Sequence, residues 1–73
     1  MLVAKRNSDN SVVNKGDIVR TNDGEEAIFL GPTRKNYFVL GGGKSGKVEV
    51  KWTSSDFVAE YYDKVFDITV YEE

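Results

Sequence analysis

Gly41, Gly46 and Lys47 stand at the spacing G-x-x-x-x-G-K, which in a phosphate-binding loop lets backbone N–H groups and one lysine cradle the phosphates of a nucleotide. That chemistry also needs a Ser or Thr directly after the lysine, to reach magnesium, and a helix whose first N–H groups face the phosphate. Here Val48 follows Lys47, and Val48, Val50 and Trp52 alternate with Lys47, Glu49 and Lys51. This is the period of a strand. The stretch therefore reads as a glycine-rich hairpin connection, with glycine supplying the positive φ values of tight turns, and nucleotide hydrolysis is not expected.

Other catalytic sets are equally thin. The chain has no histidine and no cysteine, which removes the usual proton carrier near neutral pH, thiolate nucleophiles, disulfides and the commonest metal ligands. Carboxylates at Glu25 and Glu26, or at Asp63 and Asp67, lie in or beside turns with no second constellation around them, so they read as solvated faces rather than as acid–base pairs. Tyr37, Trp52, Tyr61 and Tyr62 are the residue types of an aromatic cage for a methylated cation, although packing is their commoner use. The expectation is a protein that is not an enzyme, takes no cofactor or metal, and has no small-molecule substrate.

Two sets of residues remain that could bind macromolecules. Arg34, Lys35, Lys44, Lys47 and Lys51 form a basic set on neighbouring hairpins and one strand face, able to follow a phosphate backbone, with Tyr37 or Trp52 available to stack on bases. The blander reading is that these lysines solubilise an outward face and blunt an edge strand. Tyr61, Tyr62, Asp63, Tyr71 and Glu72, with Asp56, Glu60, Asp67 and Glu73 near them in sequence, form an acidic aromatic set suited to a basic protein partner or to mimicry of nucleic-acid charge. Its bland counterpart is a helix with buried aromatics and solvated acids. The charge is split along the chain: residues 1–51 carry nine basic and six acidic side chains, residues 52–73 one basic and six acidic. Two electrical faces are expected if the tail folds away from the basic strands.

These sets need a scaffold, and at 73 residues it is one small domain near the lower limit for a self-sufficient core. Four Phe, four Tyr, one Trp and many valines suit a β core. No apolar run approaches the ~20 residues that span a bilayer, and the start Met1-Leu2-Val3-Ala4 turns polar at once, so neither a membrane partner nor a signal peptide is expected and the cytoplasm is the default location. Residues 1–11 read as a weak edge strand and a mobile loop, and residues 12–73 as the folded domain.

Within it, Val12 to Thr21 predicts the first firm strand, and Asn22-Asp23-Gly24 a tight turn. Glu26 to Leu30 follows, with Ala27 and Phe29 on one face and an end at Gly31-Pro32, because proline cannot donate to a ladder. Thr33 to Asn36 predicts a polar turn, Tyr37 to Leu40 a third strand and Lys47 to Trp52 a fourth. Thr53 to Asp56 resembles a helix start, and Phe57, Tyr61 and Val65 fall at helical spacing, predicting a short helix or 3₁₀ segment before a closing strand over Val65 to Tyr71. The expected core is Val13, Val19, Ala27, Phe29, Phe38, Leu40, Val48, Val50, Phe57, Val58, Ile68 and Val70. Five short strands and one helical turn predict an all-β, strongly bent SH3-like barrel, since closing the sheet removes exposed edges.

From Lys15 to Gly31, KGDIVRTNDGEEAIFLG, the chain resembles the KOW motif of the elongation factor NusG and some ribosomal proteins: Gly16-Asp17 opens a strand, Asn-Asp-Gly turns it, and Gly31 follows the second strand. The resemblance extends to about Tyr62. It implies an SH3-like barrel working on protein or nucleic-acid components of the transcription or translation machinery, with a protein-interaction inhibitor free of nucleic-acid contact as the alternative. The small size and charge split also suit a virus-encoded regulator.

Overall fold

The computed structural model describes the backbone of residues 1–40 and 43–73 and the side chains of residues 1–33 and 46–73. The chain is mostly β, with six strands in two sheets and one 3₁₀ turn, and no α-helix among the described residues. Strands β1 (Leu2–Arg6) and β6 (Ile68–Glu72) pair antiparallel as one sheet; β2 (Ile18–Arg20), β3 (Glu26–Leu40), β4 (Gly43–Trp52) and β5 (Val58–Tyr62) form the other, in that order. Among the described residues no ladder joins the two sheets into a barrel.

The turn between β2 and β3 forms where Asn22-Asp23-Gly24 predicts it. Gly24 takes φ 87°, a value costly for any residue with a Cβ, and its N–H bonds the Thr21 carbonyl at 2.9 Å. The second strand, in contrast, does not stop at Gly31-Pro32. Gly31 adopts φ 134° at a register shift between Phe29 and Gly31, and beyond that irregularity Pro32 sits opposite Val48. The irregularity shifts the register by one residue ahead of the proline, and β3 continues past it to Leu40 through the expected turn at Thr33 to Asn36.

The expected helix is also replaced. Residues 58–62 form β5, with Tyr61 opposite Val48 and Ala59 opposite Val50, and the turn of helix comes later, as the 3₁₀ segment Asp63–Phe66. Phe57, Tyr61 and Val65 share a helical spacing, but Val58-Ala59-Glu60-Tyr61-Tyr62 can also alternate, and pairing with β4 satisfies backbone groups that an isolated short helix would leave open. Asp67 ends the 3₁₀ turn in the left-handed region at φ 55° and sends the chain into β6.

The core lies between the sheets. Val19, Ala27, Phe29, Val48 and Val50 project from the inner face of the four-stranded sheet, Ala4, Ile68 and Val70 from the two-stranded one, and Val13 and Phe66 fill the ends. Burying Phe29 whole contributes about 3 kcal/mol of transfer free energy. Phe57 and Val58, expected inside, are 60% and 46% exposed, because strand geometry places them at the mouth of the β4–β5 turn. Phe38 and Leu40 have side chains outside the described residues. Ala4 was not expected in the core, yet it is buried there opposite Val70 of β6.

Candidate nucleic-acid interface

Strand β4 carries Lys47, Glu49 and Lys51 on the outer face of the four-stranded sheet while Val48 and Val50 face inward, as their alternation requires. Lys47 lies opposite Tyr62, and its ammonium sits 5.0 Å from the centre of the Tyr62 ring, within range of a cation–π attraction. Lys51 makes an ion pair with Asp56 at 3.4 Å. Between them, Glu49 faces Glu60 across the ladder. These two lysines therefore do not form a continuous basic stripe by themselves.

The rest of the basic set belongs to the far part of the β3–β4 hairpin. Past the pair Thr33 and Lys47 the ladder continues through Phe38 opposite Ser45 to Leu40 opposite Gly43, and no third strand pairs with it there among the described residues. Arg34 and Lys35 lie on β3 and Lys44 on β4, with side chains outside the described residues, as is that of Tyr37. Between Glu26 and Glu49 the sequence contains four basic residues and no acidic one. A two-stranded arm of one charge sign is thus built onto a chain whose net charge is −2.

Gly46 of the G-x-x-x-x-G-K spacing has a partner inside the protein. Its N–H donates to the Asp63 carboxylate at 3.3 Å, and strand rather than helix follows it.

The acidic aromatic set is dispersed. Asp63 is fully buried, where a partner-facing surface was expected, and its Oδ2 also accepts the Val70 N–H at 2.7 Å. Tyr61 turns inward: its hydroxyl accepts the Trp52 Nε1–H at 2.9 Å, and Trp52, Tyr61 and Phe66 meet with ring centres 5.2 to 6.1 Å apart. Those rings pack on one another, so Trp52 and Tyr61 line no open cage. Tyr62 is 49% exposed. Tyr71 lies beneath Lys5, whose ammonium is 5.4 Å from its ring centre, and Glu72 holds the N-terminal amine at 2.8 Å. Tyr71 first, and Glu73 after it, hold the Lys5 ammonium above its ordinary pKa.

Among the described residues no group of three carboxylates could hold a metal ion, and no helix is long and apolar enough to cross a membrane. Of the carboxylate pairs, Glu26 is bridged by Arg20 at 2.6 Å, while buried Asp63 and exposed Asp67 have separate partners, Asp67 accepting from Asn7 at 3.3 Å. The inward role of Asp63 has no signature in the sequence, where it is one acid among several.

No protein-family model matches the chain, and comparison with curated proteins and with solved structures finds no match either.

Proposed function

We propose that the protein is a small non-enzymatic binding module that grips a nucleic-acid backbone with its β3–β4 arm. The observation that carries this reading is the charge of that arm: four basic side chains, no acidic one, on a two-stranded ladder. A run of one sign along a ribbon concentrates cations where phosphates can displace bound counterions, and this term dominates affinity for nucleic acid. On this reading Arg34, Lys35 and Lys44 make the phosphate contacts, Lys47 extends them from the sheet, and Lys51, already paired with Asp56, adds least.

The resemblance to KOW modules supports an SH3-like build and a place in the cytoplasm among components of the transcription or translation machinery, and the small size suits a virus-encoded regulator. The test is fluorescence anisotropy with labelled single- and double-stranded DNA and RNA over a range of salt. Affinity should fall log-linearly with salt, with a slope of about −3 on duplex DNA if three to four phosphates are neutralised. It should vanish when Arg34, Lys35 and Lys44 become alanine together. No binding at low salt would overturn the reading.

A second reading, a protein-interaction module acting as an inhibitor, is favoured by the exposure of Ile18, Phe57 and Val58. Large apolar side chains left open beside charged ones suit contact with a protein more than with phosphate.

A further inference from the structure

Strand β2 is an edge of the four-stranded sheet, and its main chain faces two ways. The Phe29 N–H bonds the Asp17 carbonyl at 2.8 Å and the Thr21 N–H the Glu25 carbonyl at 2.9 Å, so the Asp17 carbonyl, the backbone groups of Val19 and the Thr21 N–H face β3, while the Asp17 N–H turns back to the Asn14 carbonyl at 3.0 Å. Ile18 and Arg20 then direct theirs away from it. Among the described residues no other strand pairs with that edge.

The same logic applies to β6. The Asn7 N–H bonds the Asp67 carbonyl and the Glu73 N–H the Met1 carbonyl, so Ile68, Val70 and Glu72 point their backbone groups away from β1. Val70 gives its N–H to Asp63. Ile68 has no such substitute among the described hydrogen bonds.

These two edges border one groove of about 260 Å³. Buried Val19, Phe66 and Ile68 form its floor, while Arg6, Arg20 and Asp67 contribute to its walls. The guanidinium groups are only partly occupied: Arg6 donates to Ser11 Oγ at 3.3 Å and lies 3.9 Å from Asp17, and Arg20 uses Nε and one terminal nitrogen on Glu26. Arginine has five N–H donors in a fork matched to carboxylates, so both keep donors for a ligand.

We propose that this seam receives one extended segment of a partner protein, which adds to the β2 edge as a strand and sets a carboxylate side chain against Arg6 and Arg20. An added strand supplies main-chain partners for Ile18 and Arg20, which have none among the described hydrogen bonds, and its alternate side chains meet the apolar floor; Asp17 and Glu26 already share the charge of the two arginines, so it is their unused N–H donors, which only an acceptor can fill, that favour a carboxylate over a lysine. The site is separate from the β3–β4 arm, so a nucleic acid and a protein segment can be held together.

The test uses a capped hexapeptide of alternating glutamate and valine as the probe, at up to about 1 mM, with a twin in which lysine replaces glutamate. Amide hydrogen exchange is read by NMR on the whole protein. Under the proposal, exchange at Ile18 and Arg20 slows by about tenfold or more with the glutamate peptide and much less with the lysine twin, while Val19, already bonded to β3, changes little. Ile18→Pro, which removes a donor that serves no native ladder bond, should weaken binding in a protein whose other amide resonances are unchanged. Absence of protection at both amides, or equal protection by the two peptides, would overturn the proposal. Protection that grows with protein concentration alone would assign the seam to a second copy of the chain, and protection by an oligonucleotide would assign it to nucleic acid; either result also rejects it.

Discussion

The Asp63 carboxylate accepts the Val70 backbone N–H at 2.7 Å inside the protein, and with the same oxygen it accepts the N–H of Gly46 at 3.3 Å. One side chain thereby links β4 to β6, between which no ladder forms among the described residues. Asp63→Ala would strand two buried donors and should lower stability by about 2–4 kcal/mol, whereas Asp63→Asn, which keeps an acceptor but loses its charge, should lose about half as much. Urea unfolding with linear extrapolation measures both. A loss under about 0.5 kcal/mol for the alanine variant would mean that water or a shifted backbone replaces the carboxylate.

Phe29 and Phe57 make a paired test of the core. Phe29 is 1% exposed and Phe57 60% exposed. Phe29→Ala should destabilise by about 3–5 kcal/mol through lost transfer energy and a cavity, and Phe57→Ala should stay within about 0.5 kcal/mol. Comparable losses would place Phe57 in the interior after all, as its helical spacing with Tyr61 suggests from sequence.

Gly31 has open space around the position of a Cβ, so size alone does not forbid a side chain there. Its φ of 134° does. Gly31→Ala should therefore cost about 1–3 kcal/mol of backbone strain with no packing clash, measurable as a lower unfolding midpoint with an unchanged m-value.

Asp9 gives the acid side of the stability curve one defined contribution. The Ser11 hydroxyl and N–H donate to its carboxylate at 2.7 and 2.9 Å and hold its pKa below the ordinary 3.8. A pKa depressed by folding adds stability above the unfolded-state value, and that addition disappears as pH falls through the folded-state value. The gap in unfolding midpoint between the wild type and Asp9→Ala should thus narrow as pH drops from about 5 to about 2.5. A gap that stays constant over that range would assign the effect to something other than ionisation.

The arm also makes a graded prediction. Lys44→Ala should weaken nucleic-acid binding and make the salt slope shallower by about one, while Lys51→Ala should do little because Asp56 already neutralises Lys51 at 3.4 Å. Equal losses would move the contact from the arm to the outer sheet face.

What the sequence made legible was periodicity and turn chemistry. Val48 and Val50 face the core as their alternation with Lys47, Glu49 and Lys51 requires, Ile68 and Val70 do the same near the end, and Asn22-Asp23-Gly24 turns where expected. Where two signals competed, local reading failed. Pro32 marks a strand end unless a bulge precedes it, and only the φ of Gly31 reveals that bulge. Residues 57–65 satisfy a helical spacing and a strand alternation at once, and the open edge of β4 decides between them. For the candidate site, the sequence sets Arg34 and Lys35 in a polar turn at Thr33 to Asn36 and Lys44 on a neighbouring hairpin; the continuation of β3 to Leu40, which the bulge at Gly31 allows, places all three on the two strands of one hairpin. The withdrawal of Tyr61 and Asp63 from the acidic surface does not show locally, since it depends on Trp52 and Val70, which are distant in sequence from one or the other.

The pairing of Ala4 with Val70 carries a consequence for the order of folding. The β3–β4 hairpin closes a short loop and can form early, but β1 and β6 must close nearly the whole chain, at an entropic cost of roughly 4 kcal/mol in the length-dependent term alone. Their two-stranded sheet is then the last to form and the first to open. A nascent or partly unfolded chain would accordingly show an assembled four-stranded sheet with its inner face bare, and that transient surface, rather than the native one, sets the tendency to aggregate.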